Sequence, residues 1–438
     1  MKYCSRFYDY LYIDDNFGNV CLCQWLESPH ASIGSLMTDD ILSIYNSDHA
    51  NQLRKTMDDQ SFKYCRVEAC PYLPNNELEE ITLVEYESRK KEHYYPTTIN
   101  MAYDFVCNQS CETCRSTVFT PPRDYAEQVN TIGEKLAPFL NTAKRITASG
   151  HGDPFASKYM MAVLENLHPI NPDLTILLET NGVFFDKEHW ERIKHLAMFS
   201  LEIVLTSNSF DEFTYNHISR GGNFSKLMKN LEFGSQLRKN NEIKVFRHSF
   251  VLQDRNFREL PEFIKRSFDD YAFDSVVIKP VYQWGTMNEH VYWFKDVLNP
   301  LHPYHQEYLE IIRDPLLSDP RVYNFGGNTV HEARPYPAHE ISMSSLCSKV
   351  AEGSRVIIYG AGQIGREYLK QIEETQYCNI VLWVDRSNDD VCIFAPYRIA
   401  DLDVTDYDYV VLATNNLKFR EEMKKTLTEL GVPDKQVI

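Results

Sequence analysis

Three cysteines lie within eight residues, Cys107, Cys111 and Cys114 in C-N-Q-S-C-E-T-C. Deprotonated thiols are metal ligands. A 4Fe–4S cluster needs four ligands, so three thiolates hold three irons and leave the fourth open to a substrate or cofactor. A zinc site and plain burial are the competing readings. A zinc site usually pairs C-x-x-C with a second, distant pair.

Two other groups carry chemistry. Near the start stand Cys4, Cys21, Cys23, Cys65 and Cys70, irregularly spaced. Far downstream, R-V-I-I-Y-G-A-G-Q-I-G-R-E-Y-L runs from Arg355 to Leu369. There an apolar strand leads into Gly360, Gly362 and Gly365. The first glycine makes a tight turn, the second admits a phosphate, and the third lets a helix pack on the strand. A second strand, 379–384, ends in Asp385, an acid placed to bind a ribose 2′-hydroxyl. A docking unit without ligand is the alternative. Cys347, Cys378 and Cys392 read as small buried side chains.

These residues must be positioned by regular elements. From Tyr95 to about Thr286 strands alternate with helices. The candidate strands are 98–103, 145–149, 174–179, 201–205, 244–252 and 275–281. Amphipathic stretches at 125–140, 187–195, 224–239 and 258–268 lie between them. That alternation predicts a parallel sheet with helical crossovers. The cysteine triplet directly follows the first strand, at the end where such folds place chemistry.

Net charge is −17, which disfavours a phosphate backbone as partner, so no nucleic acid is expected. No apolar run is long enough to span a bilayer, so no membrane partner is expected. Residues 1–16 lack a basic start and apolar middle, so they do not read as a signal peptide and the expected location is the cytoplasm. Eleven cysteines in that reducing compartment argue for metal ligation or burial, not disulfides.

The spacing C-x3-C-x2-C after a first strand resembles the radical S-adenosylmethionine (SAM) superfamily. The likeness runs along the whole alternating segment. S-G-H-G-D-P, 149–154, is similar to the family's glycine-rich motif, with Asp153 in place of Glu. E-T-N-G, 179–182, ends the third strand as in many members, and a serine, here Ser207, ends the fourth. R-G-G-N-F, 220–224, matches a segment whose arginine lies near the cofactor. The resemblance implies Cys107, Cys111 and Cys114 as ligands of the SAM-binding 4Fe–4S cluster. It implies Gly150, Gly152, Asp153, Asn181, Ser207 and Arg220 as the SAM site. Thr113 departs from the pattern, since an aromatic residue often precedes the third cysteine.

Residues 1–94 resemble half of a SPASM domain, with Tyr45 in place of a Trp and a closing pair spaced C-x4-C. This implies one auxiliary 4Fe–4S cluster on Cys4, Cys23, Cys65 and Cys70. Cys21 rivals Cys23, because alternate residues of a strand share a side. A zinc knuckle is the competing reading. The last part resembles short Rossmann-like domains attached to sugar-processing and polysaccharide-biosynthesis proteins.

The expected fold is therefore α/β, in four parts. A cysteine-rich SPASM-like module and linker span 1–94, and a partial (β/α)6 barrel spans 95–286. An irregular or helical extension covers 287–349, and a Rossmann-like nucleotide-binding domain covers 350–438. The resemblance implies reductive cleavage of SAM and hydrogen-atom abstraction from a small-molecule substrate. The favoured substrate is a sugar or nucleotide-linked sugar, with NAD or a nucleotide sugar at the last domain. The electron donor would be a flavodoxin or ferredoxin. The rivals are a peptide-modifying maturase and an NAD-dependent oxidoreductase with structural metal sites.

Overall fold

The computed structural model describes residues 1–26, 31–66, 70–73, 77–148, 150–282, 287, 289–324, 350–360, 364–365, 368–369, 372, 375–385, 397–398, 407–414 and 417–438. The chain divides into two compact units. The first is 1–280 with 307–332, and the second is 281–306 with 333–438.

The first unit is built on one ten-stranded sheet. Its strands are β2 (Tyr10–Ile13), β3 (Asn19–Cys21), β4 (Ser32–Ser35), β6 (Thr98–Met101), β7 (Arg145–Ala148), β8 (Thr175–Thr180), β9 (Ser200–Thr206), β10 (Val245–Leu252), β11 (Ser275–Pro280) and β12 (Val322–Asn324). Two further short strands, β1 (Lys2–Tyr3) and β5 (Glu79–Glu80), pair apart from it. The order is β12-β11-β10-β9-β8-β7-β6-β2-β3-β4. Every pairing from β12 to β2 is parallel, while β3 and β4 join as antiparallel strands. The strands expected from the sequence all form, within two residues of their expected limits. The cysteine-rich segment adds β2, β3 and β4 to the same sheet.

Crossover helices explain the apolar face. Tyr125–Thr142 buries Tyr125, Val129, Ile132, Leu136 and Leu140, one stripe at helical spacing. Phe224–Lys239 starts at Asn223, whose side chain accepts from Lys226 N at 2.9 Å. On the strands, Ile99, Met101, Ile146, Leu178, Ile203 and Phe246 alternate onto one face and are all at most 1% exposed. Each such side chain stabilises by about 1.5–3 kcal/mol.

The opposite face is polar. It carries Asn100, Thr147, Glu179, Glu202, Arg247 and Lys279. Glu202 accepts from Arg145 at 3.1 Å and Arg247 at 2.9 Å. Lys279 of β11 meets Glu179 of β8 at 3.5 Å, across the two intervening strands β9 and β10.

The second unit holds a four-stranded, wholly parallel sheet: β13 (Arg355–Tyr359), β14 (Asn379–Asp385), β15 (Tyr397–Arg398) and β16 (Tyr409–Leu412). Its order is β15-β14-β13-β16. Val356 and Ile358 pack into one apolar cluster, Ile357 and Tyr359 into another, so β13 is buried on both faces.

Candidate functional site

The triplet loop leaves β6 and is tied down on two sides. Ser110 N donates to Arg220 O and Glu112 N to Ile218 O, both at 2.9 Å. Arg220 answers through its guanidinium, Nε to Ser110 O at 2.8 Å and Nη2 to Arg115 O at 2.9 Å. Cys114 N and Arg115 N both fold back onto Cys111 O. Arg115 then reaches Phe105 O at 2.8 Å and His151 O, joining this loop to the glycine-rich one.

The glycine-rich loop after β7 needs its glycines. Gly150 has φ +109, and a Cβ at Gly152 would collide with the backbone carbonyl oxygens of Asp104 and Val106. Asp153 is buried, and its carboxylate accepts from Phe155 N, Ala156 N, Thr180 Oγ1 and Asn181 N at 2.7–3.0 Å. Burial pushes its pKa up, with those donors pulling the other way. Asp153 thereby fixes the exit of β8, where Asn181 Nδ2 donates to Asn108 Oδ1 at 2.9 Å and approaches the Cys107 sulfur at 3.7 Å. His151 pairs with Asp14 at 3.2 Å and stacks on Phe105.

The structure thus brings Cys107, Asp153, Asn181 and Arg220 onto one cluster of loops at the carboxyl ends of the strands. It does not bring Ser207 there. Ser207 is fully buried and hydrogen-bonded to His248 Nε2 at 2.8 Å, on the apolar face. Thr206 ends β9, so the next residue turns to the opposite face. That placement sets Ser207 apart from the other residues expected at the SAM site.

The amino-terminal cysteines also converge. Cys4, Cys23, Cys65 and Cys70 line one small cavity with Arg6, Phe7, Trp25 and Tyr72. A backbone bridge from Leu26 to Cys65 and a bond from Arg66 N to Trp25 O at 2.8 Å draw the two halves together. Cys21 is not in that lining. β3 ends at Cys21, so strand alternation no longer places Cys21 and Cys23 on one side. Cys21 instead lies opposite Tyr12 within the sheet.

Burial holds several of these thiols protonated, Cys4, Cys23, Cys107 and Cys111 among them. Cys4, Cys107 and Cys111 are pushed up to about 12, with neighbouring thiols adding to the rise for Cys4 and Cys111 and Asp153 for Cys107. Burial also raises Cys23, and Arg6 opposes it. Ligation would therefore release protons. Among the described residues no three His, Cys, Asp or Glu side chains stand close enough for one metal ion. A four-iron cluster instead gives each thiolate its own iron, so it suits thiols spread around a cavity. The cavity's donor set, four thiols and a guanidinium, fits an anionic cluster.

In the second unit Gly360 has φ +119, and a Cβ at Gly365 would collide with the Gly360 carbonyl oxygen. Asp385 ends β14. Gly362 lies outside the described residues, as do Cys347 and Cys392, and Cys378 is buried. Among the described residues no helix is long and apolar enough to cross a membrane. The sequence reading missed Arg6, Arg115 and Lys279. The first two sit beside cysteines, at two and one residues, which was the only available signal.

Comparison with known proteins agrees with this geometry. Residues 105–266 match the radical SAM superfamily, and residues 4–71 match the SPASM iron–sulfur cluster-binding domain. The chain is a radical SAM protein with a SPASM domain. These two domains bring iron–sulfur clusters and SAM to it. Residues 352–438 of this radical SAM protein match a family described as C2185-like, N-terminal. Among solved structures it is similar to Streptococcus suis SuiB bound to S-adenosylmethionine, at 12% identity and a TM-score of 0.33. That match covers 63% of this chain and 60% of the other, so the chain spans less than two thirds of that protein's length. No curated protein matches.

Proposed function

We propose that this radical SAM protein cleaves SAM reductively and abstracts a hydrogen atom from a small-molecule substrate. The observation that carries the reading is the convergence of Cys107, Asn181, Asp153 and the Arg220-braced loop at one end of the sheet. Cys107, Cys111 and Cys114 would hold three irons. The cluster with bound SAM supplies the one-electron cleavage that yields a 5′-deoxyadenosyl radical. Asn181, Gly150 and Gly152 would border the methionyl end, and Asp153 would orient Asn181 rather than touch the cofactor. Arg115 and Arg220 hold the loop carrying the ligands. Cys4, Cys23, Cys65 and Cys70 would take one auxiliary 4Fe–4S cluster. A flavodoxin or ferredoxin in the cytoplasm would be the reductant.

The substrate would lie on the polar face of the sheet. Neighbouring strands stand about 4.8 Å apart, so three steps in a flat sheet separate β8 from β11 by about 14 Å. The Glu179–Lys279 contact over that span supports a sheet curled around its polar face, as in a partial barrel. In the second unit the order β15-β14-β13-β16 is 3-2-1-4, which supports a Rossmann-like unit. Residues 1–94, 95–286, 287–349 and 350–438 are retained as working parts. A sugar or nucleotide-linked sugar remains the favoured substrate, on the strength of that last unit.

Anaerobic reconstitution tests the reading. The reduced protein should turn SAM into 5′-deoxyadenosine and contain roughly eight irons per chain. Replacing Cys107, Cys111 and Cys114 together with Ala should abolish the product and remove about half of the iron. Product from the triple variant would overturn the assignment, and zinc in place of half the iron would favour the zinc knuckle. Trials with sugars and peptides then separate the substrate classes.

A further inference from the structure

Arg6 is a cation placed among thiols. It lines the cavity formed by Cys4, Cys23, Cys65 and Cys70. Its hydrogen-bond partners are neutral, Gln24 Oε1 at 2.7 Å from Nη1 and the Tyr72 hydroxyl at 3.4 Å from Nη2. The guanidinium carbon lies 4.3 Å from the centroid of the Tyr10 ring and 5.5 Å from that of Tyr72. Among the described residues no carboxylate hydrogen-bonds to this guanidinium, and Asp9 feels its charge without such a bond.

Its orientation is fixed from behind. Gln24 Oε1 accepts from Arg6 and also from the Tyr10 hydroxyl at 2.7 Å. That hydroxyl accepts from Asn100 Nδ2 at 3.0 Å, on strand β6. The chain Asn100, Tyr10, Gln24 therefore aims a carbonyl oxygen at Arg6 and holds the fork in place. Only two of the guanidinium's five N–H groups are used in these bonds, so others remain for sulfur.

We propose that Arg6 sets the reduction potential of the auxiliary cluster by placing a fixed positive charge and N–H donors against its sulfurs. This rests on the reading that Cys4, Cys23, Cys65 and Cys70 hold a four-iron cluster. A cluster held by four thiolates is anionic, and it gains one more negative charge when it accepts an electron. A nearby cation stabilises the reduced form more than the oxidised one, so it raises the potential. Charge and hydrogen bonds at the sulfurs are the levers by which proteins tune such clusters. Arg6 is a positioning and tuning residue, not a ligand.

The test uses the full chain with Cys107, Cys111 and Cys114 replaced by Ala, so that only the auxiliary cluster titrates. Electron paramagnetic resonance follows its reduction against a set potential. Arg6→Met removes the charge at similar length, and Arg6→Lys keeps the charge but loses the fork. The expected result is that Arg6→Met lowers the reduced-to-oxidised ratio at fixed potential at least tenfold, which is 59 mV for a one-electron couple. Arg6→Lys should recover most of that shift. Equal potentials in all three, with about four irons retained, would overturn the proposal. If Arg6→Met sheds iron, restoration of both iron and potential by Arg6→Lys supports it, and loss in both variants overturns it. Absence of iron before any change at Arg6 would instead sink the cluster reading itself.

Discussion

At the scale of single residues, His248 shows how much of the site's frame is stored in buried polar groups. It stands on the apolar face of β10, fully buried. Its ring nitrogens meet the hydroxyls of Ser207 and Ser267, each at 2.8 Å, and it stacks 4.1 Å from Phe273. Burial alone drives its pKa well below 6.5. The sign follows from linkage. The unfolded chain protonates this histidine near pH 6.5 and the folded chain does not, so its contribution to stability is intact above about pH 6.5 and declines below it. Each pH unit beneath that value costs about 1.4 kcal/mol until the folded pKa is reached. Melting temperature should therefore fall between about pH 6.5 and pH 5, and His248→Gln should make that fall shallower. An unchanged slope in the variant would show that His248 is not held neutral. The residue scale is also where the sequence was legible only in part. The three thiols of the triplet announce themselves by local spacing. The choice between Cys21 and Cys23, and the burial of Ser207, turn on where a strand stops, because one residue more or less reverses a side chain's face.

At the scale of elements, the candidate SAM site is a meeting of loops held by backbone contacts. Gly152 is the tightest of them. Its Cα packs against the carbonyl of Val106, 2.7 Å from where a Cβ would sit, and against that of Asp104. Both obstacles are backbone, so neither can swing away. Gly152→Ala should displace the triplet loop, destabilise by about 1–3 kcal/mol and sharply reduce deoxyadenosine yield per bound cluster. Thermal melts and product assays on protein of matched iron content check this, and a variant of normal yield would remove Gly152 from the site. Most elements could be read from the sequence because their apolar periods are long and local, as in Tyr125–Thr142. Strands β2, β3 and β4 could not. They are three or four residues long, and β2 finds its partner far along the chain, with Tyr10 opposite Thr98. Nothing local encodes such a pairing, so a cysteine-rich segment gave no sign that it would extend the sheet.

At the scale of the whole molecule, a small parallel sheet of order 3-2-1-4 accompanies the large one. Its strand β13 runs into Gly360 and the next strand ends at Asp385, the order that the sequence pattern of a pyrophosphate-binding unit predicts. If this unit takes a nucleotide, isothermal titration of the full chain with NAD, NADP or nucleotide sugars should give submillimolar binding. Asp385→Ala should weaken it by about 1–3 kcal/mol, the scale of a hydrogen bond to a charged group. No binding by any of these would leave the unit as a docking element and remove the main support for a sugar substrate.

The strand order of the large sheet also has a bearing on how the protein is made. From β6 to β12 the strands lie side by side in the order in which a ribosome releases them. Each newborn strand finds its partner already laid down, and only one crossover has to close at a time. The exception is β2, which must wait for β6 while the segment carrying Cys21, Cys23, Cys65 and Cys70 emerges between them. Until β6 arrives, β2 keeps one edge open to unwanted pairing. Translation pauses in that interval should therefore favour aggregation more than pauses placed later, when each new edge waits only for the next strand to emerge.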